Sequence, residues 1–177
     1  MKASLRLRAA FLVLAVTTLI STTSIALAQT PTSNSDTVLH PPDMAKILPG
    51  SVFFRGQSAT TQGRNSGGVR YADGFFTFAS LVDNSGYSTG IQEKYQAYFI
   101  TEVPIKIGGQ SLPAGVYGVG FIADNKFVIT DVGAHDLVTT SYATDDGLKR
   151  PMPLQVMTDP VGGFRLYAGR KYVAFSR

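Results

Sequence analysis

Short hydrophobic segments separated by glycine-rich turns occupy most of the chain. From Ser51 onward, apolar runs and alternating patterns are interrupted by turn residues at intervals of about 8–12 positions. This pattern predicts an all-β fold, either an antiparallel β-sandwich or a small β-barrel of roughly eight to ten strands. One short helical turn is predicted at residues 44–48, where Asp43 can cap its start and Pro49-Gly50 ends it.

Glycine and proline divide the predicted strands from the predicted loops. Two glycine-containing segments, residues 62–68 and 84–94, are predicted to be loops. Residues 95–107 are predicted to form one long strand in which Pro104 marks an edge or a bulge. Gly108-Gly109 is typical of a hairpin turn. The other predicted strands are 51–57, 69–71, 75–83, 116–123, 126–132 and 155–159.

Two hairpins can be predicted at the level of single residues. In the first, a two-residue loop at Asp124-Asn125 pairs Ile122 with Phe127. Because side chains alternate between the faces of a strand, this pairing leaves both faces apolar and predicts that both are covered. In the second, Gly169-Arg170 is a Gly-first turn. It pairs Tyr167 with Tyr172, Leu166 with Val173 and Phe164 with Phe175.

The N-terminus has the features of a secretory signal. Lys2, Arg6 and Arg8 form a basic head, an apolar stretch spans residues 9–20, and Ala26-Leu27-Ala28 provides a cleavage site. We therefore predict a signal peptide at 1–28, with a signal helix that could alternatively be retained as an anchor. A flexible leader at 29–50 and an all-β domain at 51–177 follow. This organisation predicts a periplasmic or extracellular location, with no membrane span after signal cleavage.

Charge and cysteine content narrow the possible functions. The net charge is +4, but three of the sixteen basic residues lie in the predicted signal, and thirteen basic and twelve acidic residues remain. A balance of +1 gives little electrostatic support for binding a nucleic acid. The absence of cysteine excludes disulfides, cysteine-based metal sites and a thiol nucleophile. We predict no cofactor and no metal site.

His135 is the residue with the clearest catalytic potential. A general base needs a second group to orient its imidazole, and Asp131 and Asp136 are the nearby candidates. A hydrolase that uses His135 with one of these carboxylates is therefore an alternative function. The other interpretation is a polar loop in which His135 forms local hydrogen bonds.

Gly118 and Gly120 suggest a ligand site. Two glycines on one face of a strand leave a trough without side chains, which the predicted pairing lines with Ile122, Phe127 and Ile129. Such a trough can admit an apolar ligand or a sugar ring. The alternative is that the glycines permit close sheet packing or a bend.

Five segments in the second half of the chain carry a resemblance to a known group of proteins. They are residues 105–110, Leu112-Pro-Ala-Gly-Val-Tyr117, His135-Asp-Leu137, residues 149–155 and residues 165–170. On these segments the region from about Tyr95 to Arg177, roughly half the chain, is similar to exported bacterial β-domain proteins of uncharacterised function with an LPAGxY-type hairpin. The resemblance implies a β fold and export, and it assigns no catalytic residue.

Three functions follow as expectations. The first is an exported, non-catalytic binding or interaction module whose partner is an unknown small molecule, a glycan or an envelope protein. The second is the hydrolase based on His135. The third is a structural component of the cell envelope whose sheet edges pair with other chains.

Overall fold

A computed structural model describes residues 35–177. The predicted signal peptide lies outside the described residues, as does the start of the predicted leader. Fourteen strands and two short helices occur in the described part. In chain order they are β1 Thr37–Leu39, α1 Pro41–Met44, β2 Ser51–Phe54, β3 Gln57–Arg70, β4 Phe76–Val82, α2 Thr89–Lys94, β5 Ala97–Thr101, β6 Ile105–Ile107, β7 Gln110–Leu112, β8 Gly115–Ile122, β9 Lys126–Thr130, β10 Asp136–Ser141, β11 Ala143–Thr144, β12 Gln155–Thr158, β13 Phe164–Ala168 and β14 Lys171–Ser176.

The strands form two antiparallel sheets. Sheet I has the order β1-β3-β4-β5-β8-β9-β10, and β2 pairs with the first part of β3. Sheet II has the order β12-β13-β14-β6-β7, and β11 pairs with β14. The prediction of an all-β fold is confirmed, and the sandwich is the alternative that the structure adopts. Neither helix of the described residues has the length and apolar character needed to cross a membrane.

The main hydrophobic core lies between the two sheets. Alternate residues of each strand point into it, as the two-residue period of a strand requires. Strand β8 contributes Tyr117, Val119 and Phe121 from sheet I. Sheet II contributes the apolar residues of the β13–β14 hairpin, whose pairing is the predicted one: Phe164, Leu166, Val173 and Phe175.

A second, smaller core covers the outer face of sheet I. The β2–β3 hairpin and α2 lie over strands β5 and β8, and their apolar side chains form a separate cluster. Its buried members are Val52, Phe54, Ala59, Val82, Tyr87 and Tyr95. Strand β8 is therefore buried on both faces, as the apolar character of its two faces predicted.

The segment at residues 37–50 belongs to the fold, so its assignment to a flexible leader was wrong. Strand β1 pairs with the end of β3, with Val38 opposite Val69. Helix α1 begins directly after β1, earlier than the predicted turn at residues 44–48. Prolines at its first two positions suit a helix start because they have no N–H to satisfy there. Asp43 accepts a hydrogen bond from the backbone N–H of His40 at 3.3 Å.

Both predicted glycine-rich loops contain regular structure. Residues 62–68 lie within β3, where a register shift between Thr61 and Ser66 absorbs the extra residues. Gly68 serves close packing there, because a Cβ at this position would lie 2.5 Å from the Cβ of Phe78. The predicted loop at 84–94 contains α2. In residues 62–68 the glycine at position 68 permits close packing of neighbouring strands, whereas the sequence interpretation took glycine there to indicate a turn.

The predicted long strand at 95–107 is divided at Pro104. Its first part is β5 in sheet I and its second part is β6 in sheet II, so the chain crosses between the sheets at this proline. The Gly108-Gly109 turn then joins β6 to β7, with Ile107 opposite Gln110. The chain returns to sheet I after Pro113, at the start of β8.

Candidate functional site

The register of the β8–β9 hairpin differs by one residue from the predicted register. Ile122 lies opposite Lys126, and Phe121 lies opposite Phe127. Three residues, 123–125, therefore form the connection, and Asp124 and Asn125 both adopt positive φ angles of 56° and 58°. Since a one-residue slip exchanges the faces of a strand, Phe127 and Ile129 point into the main core. The prediction that they line the glycine trough was wrong.

Other parts of the same chain fill the space above the two glycines. A Cβ on Gly118 would lie 2.8 Å from ring atoms of both Phe54 and Tyr95, and a Cβ on Gly120 would lie 2.6 Å from the carbonyl oxygen of Lys94. The glycines permit the β2–β3 hairpin and the end of α2 to approach sheet I. Ile122, the remaining predicted member of the trough, is half-buried on the same strand.

His135 is held by Asp131, in a tight turn between β9 and β10. The Nδ1 atom of His135 lies 2.9 Å from Oδ2 of Asp131. The other carboxylate oxygen, Oδ1, accepts the backbone N–H groups of Gly133 at 2.8 Å and His135 at 2.9 Å. Asp136 points elsewhere and forms an ion pair with Lys94 at 2.6 Å. Of the two predicted partners, the structure therefore brings Asp131 to His135.

This turn has a histidine oriented by a carboxylate, but no hydroxyl of the described residues is bonded to that histidine. Backbone and ring donors of His135 hold the pKa of the Asp131 carboxyl below its usual range. The imidazole side chain is 76% exposed, and no hydroxyl of the described residues forms a hydrogen bond with it. Within residues 35–177, no group of three His, Asp or Glu side chains is placed to bind a metal. The arrangement stabilises the turn, and the hydrolase alternative gains no nucleophile from it.

A polar cluster covers the outer face of the β13–β14 hairpin. The Nη2 atom of Arg165 donates to Oδ1 of Asp159 at 3.1 Å, and its guanidinium lies 4.3 Å from the ring centroid of Tyr172. The hydroxyl of Tyr167 donates to Asp145 at 2.9 Å. The hydrogen bond from Arg165 lowers the pKa of the Asp159 carboxyl. Because its members largely satisfy one another, this cluster fastens the segment around Asp145 to sheet II.

An apolar groove of about 430 Å³ lies beside the β6–β7 hairpin. We call it the hairpin groove. Its volume falls within the range of small-molecule sites, which are mostly apolar with a few polar groups. Its lining residues are Pro104, Ile105, Lys106, Ser111, Leu112, Pro113 and Arg177.

Hydrogen bonds hold the chain backbone on both sides of the groove. On one side, the hydroxyl of Thr77 lies 2.8 Å from that of Thr101, and Thr101 donates to the carbonyl of Val103 at 2.6 Å, immediately before Pro104. On the other side, the hydroxyl of Tyr117 donates to the carbonyl of Pro113 at 3.0 Å. Proline restricts φ at both crossing points between the sheets, so the groove is preformed.

Two cationic side chains line the mostly apolar groove. Lys106 has no carboxylate within ion-pair distance among the described residues, and it also borders a second depression next to Asp159. Arg177 donates to Asp73 and lies 5.4 Å from the ring centroid of Tyr71. A guanidinium has five N–H donors, so this contact leaves others available.

Sequence reasoning missed this groove. It interpreted Pro104 as the mark of an edge or a bulge, whereas the chain crosses between the sheets there and again after Pro113. The signal available in the sequence was the pair of prolines on either side of a short glycine-turn hairpin. No local pattern placed Arg177, which is far away in the chain, beside that hairpin.

Comparisons with known proteins add no homologue to this description: no family model, curated protein or solved structure matches the chain. The resemblance to exported bacterial β-domain proteins stays a prediction.

Proposed function

We propose that this chain is an exported, non-catalytic binding module whose ligand site is the hairpin groove. The ligand that fits this groove is an amphiphile with an apolar chain and an anionic head group. The observation that carries the proposal is the combination of mostly apolar walls with Lys106 and Arg177. Transfer of an apolar chain from water to such walls is favourable because it removes apolar surface from water. A cationic side chain favours a head group with a negative charge.

The side chains that line the groove favour binding over catalysis. Its lining contains two cations and one hydroxyl, that of Ser111, and no His, Asp or Glu is among its lining residues. General acid–base chemistry needs a group that titrates near the working pH, and neither lysine nor arginine ordinarily does so. Binding of an anionic ligand by two cationic side chains requires no group that titrates near the working pH. Export to the periplasm or outside the cell stays part of the proposal.

The test uses ligands that share an alkyl chain and carry head groups of opposite charge. Decanoate should bind in isothermal titration calorimetry, and nonyltrimethylammonium, which has the same alkyl chain, should bind more weakly. Lys106→Gln should weaken decanoate binding about two- to fivefold, the effect of losing one exposed charge contact. Lys149→Gln is the matched control, because Lys149 is exposed and outside the groove.

A steric variant tests the location independently of charge. Ser111 is exposed on β7 and lines the groove, so Ser111→Trp should fill it and abolish binding without altering the core. Ser58→Trp, at an exposed position on β3 outside the groove, is the control for the effect of a surface tryptophan. Equal binding of both head groups, or full binding by folded Ser111→Trp, would overturn the proposal.

A further inference from the structure

The first and last strands in the order of each sheet are β1 and β10 in sheet I and β12 and β7 in sheet II. These four strands differ in how well their free edges are protected against pairing with another strand. β1, β7 and β12 contain three, three and four residues. Each has a proline within two residues of its C-terminal end: Pro41, Pro113 and Pro160. β10 is the longest, with six residues, and no proline lies near it. Short strands and prolines are common devices against edge-to-edge pairing, and β10 has neither.

The hydrogen-bond pattern identifies the backbone groups at the free edge of β10. Thr140 lies opposite Phe127, and just beyond the strand the N–H of Tyr142 donates to the carbonyl of Asn125 at 3.1 Å. Hydrogen-bonded and non-bonded positions alternate along an antiparallel strand, so Thr140 also bonds to β9. The N–H and C=O groups of Thr139 and Ser141 therefore point away from β9. Among the described residues, β10 has no other strand partner.

The side chains along this edge are uncharged. Residues 137–144 contain no Asp, Glu, Lys or Arg, and Thr139 and Ser141 are exposed. The nearest charges each have a partner of opposite sign: Asp136 is paired with Lys94, and Lys126, which lies opposite Ser141 on β9, is 3.8 Å from Asp124. Thirteen basic and twelve acidic residues in the part that the structure describes leave a balance of +1. Neither local nor overall charge opposes the approach of an identical edge.

We propose that β10 is a dimerisation edge at which two copies of this chain pair antiparallel about a two-fold axis near Thr140. This register places Thr139 opposite Ser141 across the axis, twice by symmetry. The free backbone groups of these residues then form four hydrogen bonds between the copies, and the paired hydroxyls lie side by side on the outer face. Sheet I becomes continuous through the dimer. The exposed Leu137 lies at the flank of the interface.

A second copy is a better occupant of this edge than an unrelated peptide, because the short hydroxyl-bearing row is complementary to itself. The Thr139–Ser141 pairing uses every free main-chain donor and acceptor of these two residues and opposes no like charges.

The edge is also held in place for pairing by a contact with the other sheet. The hydroxyl of Thr140 donates to the carbonyl of Gly108 at 3.1 Å, which ties the middle of β10 to sheet II.

Sedimentation velocity of the chain over a concentration series tests the dimer, and charge variants test its register. Thr139→Lys with Ser141→Lys opposes lysines across the axis and should raise the dimer dissociation constant at least about tenfold. Thr139→Lys with Ser141→Glu opposes unlike charges in the same register and should restore the dimer. Thermal unfolding should confirm that both double variants remain folded, since all substituted positions are exposed.

The control carries two lysines at exposed positions on another strand, Ser58→Lys with Thr60→Lys on β3. It should dimerise like the unaltered chain. A monomer at every concentration overturns the proposal. A dimer that persists in the double-lysine variant also overturns it, because the copies would then be joined elsewhere.

Discussion

The rings of Phe54 and Tyr95 lie face to face, with their centroids 3.7 Å apart and their planes 10° from parallel. Tyr87 meets both rings edge-on. Tyr95 is fully buried, yet its hydroxyl has no hydrogen-bond partner among the described residues. The hydroxyl of Tyr87 donates to the carbonyl of Phe54 at 2.9 Å. Two tyrosines in one small core thus have opposite hydrogen-bonding states.

Removing each hydroxyl should therefore change stability in opposite directions. Tyr95→Phe should raise the free energy of unfolding by about 1 kcal/mol, because a buried hydroxyl without a partner is costly. Tyr87→Phe should lower it by about 1 kcal/mol, because the loss leaves a buried carbonyl with fewer donors. Urea unfolding followed by circular dichroism measures both differences. A loss of stability in Tyr95→Phe would show that its hydroxyl forms a bond in solution.

Alanine at the two trough glycines should destabilise the chain. Gly120→Ala forces a methyl group against the backbone carbonyl of Lys94, and Gly118→Ala forces one against Phe54 and Tyr95. Overpacking of this kind costs about 1–3 kcal/mol. The larger loss is expected at Gly120, because the backbone at the end of α2 yields less easily than a side chain. Thermal unfolding of the two variants measures both losses.

The control for these glycines lies in α2 itself. A Cβ on Gly90 would meet nothing within 4 Å, and its φ angle suits any residue. Gly90→Ala should therefore leave stability unchanged or raise it by about 0.5–1 kcal/mol, since alanine favours a helix. If Gly120→Ala is as stable as Gly90→Ala, the trough has room that the structure does not show.

The two hairpins show how far the sequence alone could predict this fold. In β13–β14, Gly169 has a positive φ of 62° and occupies the first turn position, so the two-residue loop determined every cross-strand pair. In β8–β9, the turn residues Asp124 and Asn125 were identified, but the connection is one residue longer than a two-residue loop. That single residue exchanged the faces of β9 and replaced a predicted ligand trough with a filled core.

Local sequence patterns could not predict contacts between parts of the chain that are distant in sequence. The residues over Gly118 come from β2 and from the segment after α2, far from it in sequence. The partner of His135 was correctly limited to Asp131 or Asp136, but only the turn geometry and the ion pair of Asp136 with Lys94 distinguish them. Alternation along a strand identifies a face, and tertiary packing decides what covers that face.

Asp159→Asn should lower stability near neutral pH by about 2–4 kcal/mol, because it leaves the guanidinium of Arg165 without its nearest carboxylate. The hydrogen bond from Arg165 lowers the pKa of Asp159 in the folded chain. A lowered pKa means that this stabilisation is complete above the ordinary aspartate range and is lost as pH falls below about 4. The stability difference between the two proteins should therefore shrink in acid.

Denaturant unfolding near pH 7 and near pH 3 measures that difference. Asp146→Asn is the control, since Asp146 is exposed and its carboxylate forms no ion pair among the described residues. It should match the unaltered chain at both pH values. A difference for Asp159→Asn that persists undiminished in acid would mean that the carboxylate contributes by its shape and not by its charge.

The turn between β9 and β10 offers a direct comparison of structural and catalytic roles. Asp131→Ala removes the acceptor of two backbone N–H groups and the partner of the imidazole, so it should lower the melting temperature. His135→Ala should lower it much less, because the ring is largely exposed and the backbone bonds to Asp131 remain. Differential scanning calorimetry gives the order of the two effects.

An esterase assay on the same variants separates the two roles. If the turn is structural, the unaltered chain and His135→Ala hydrolyse p-nitrophenyl acetate at the same rate. A folded His135→Ala variant that loses hydrolysis would instead support the hydrolase alternative, with Asp131 as the residue that orients the imidazole. In that case Asp131→Asn, which keeps an acceptor oxygen for the turn, should also lose activity while retaining most of its stability.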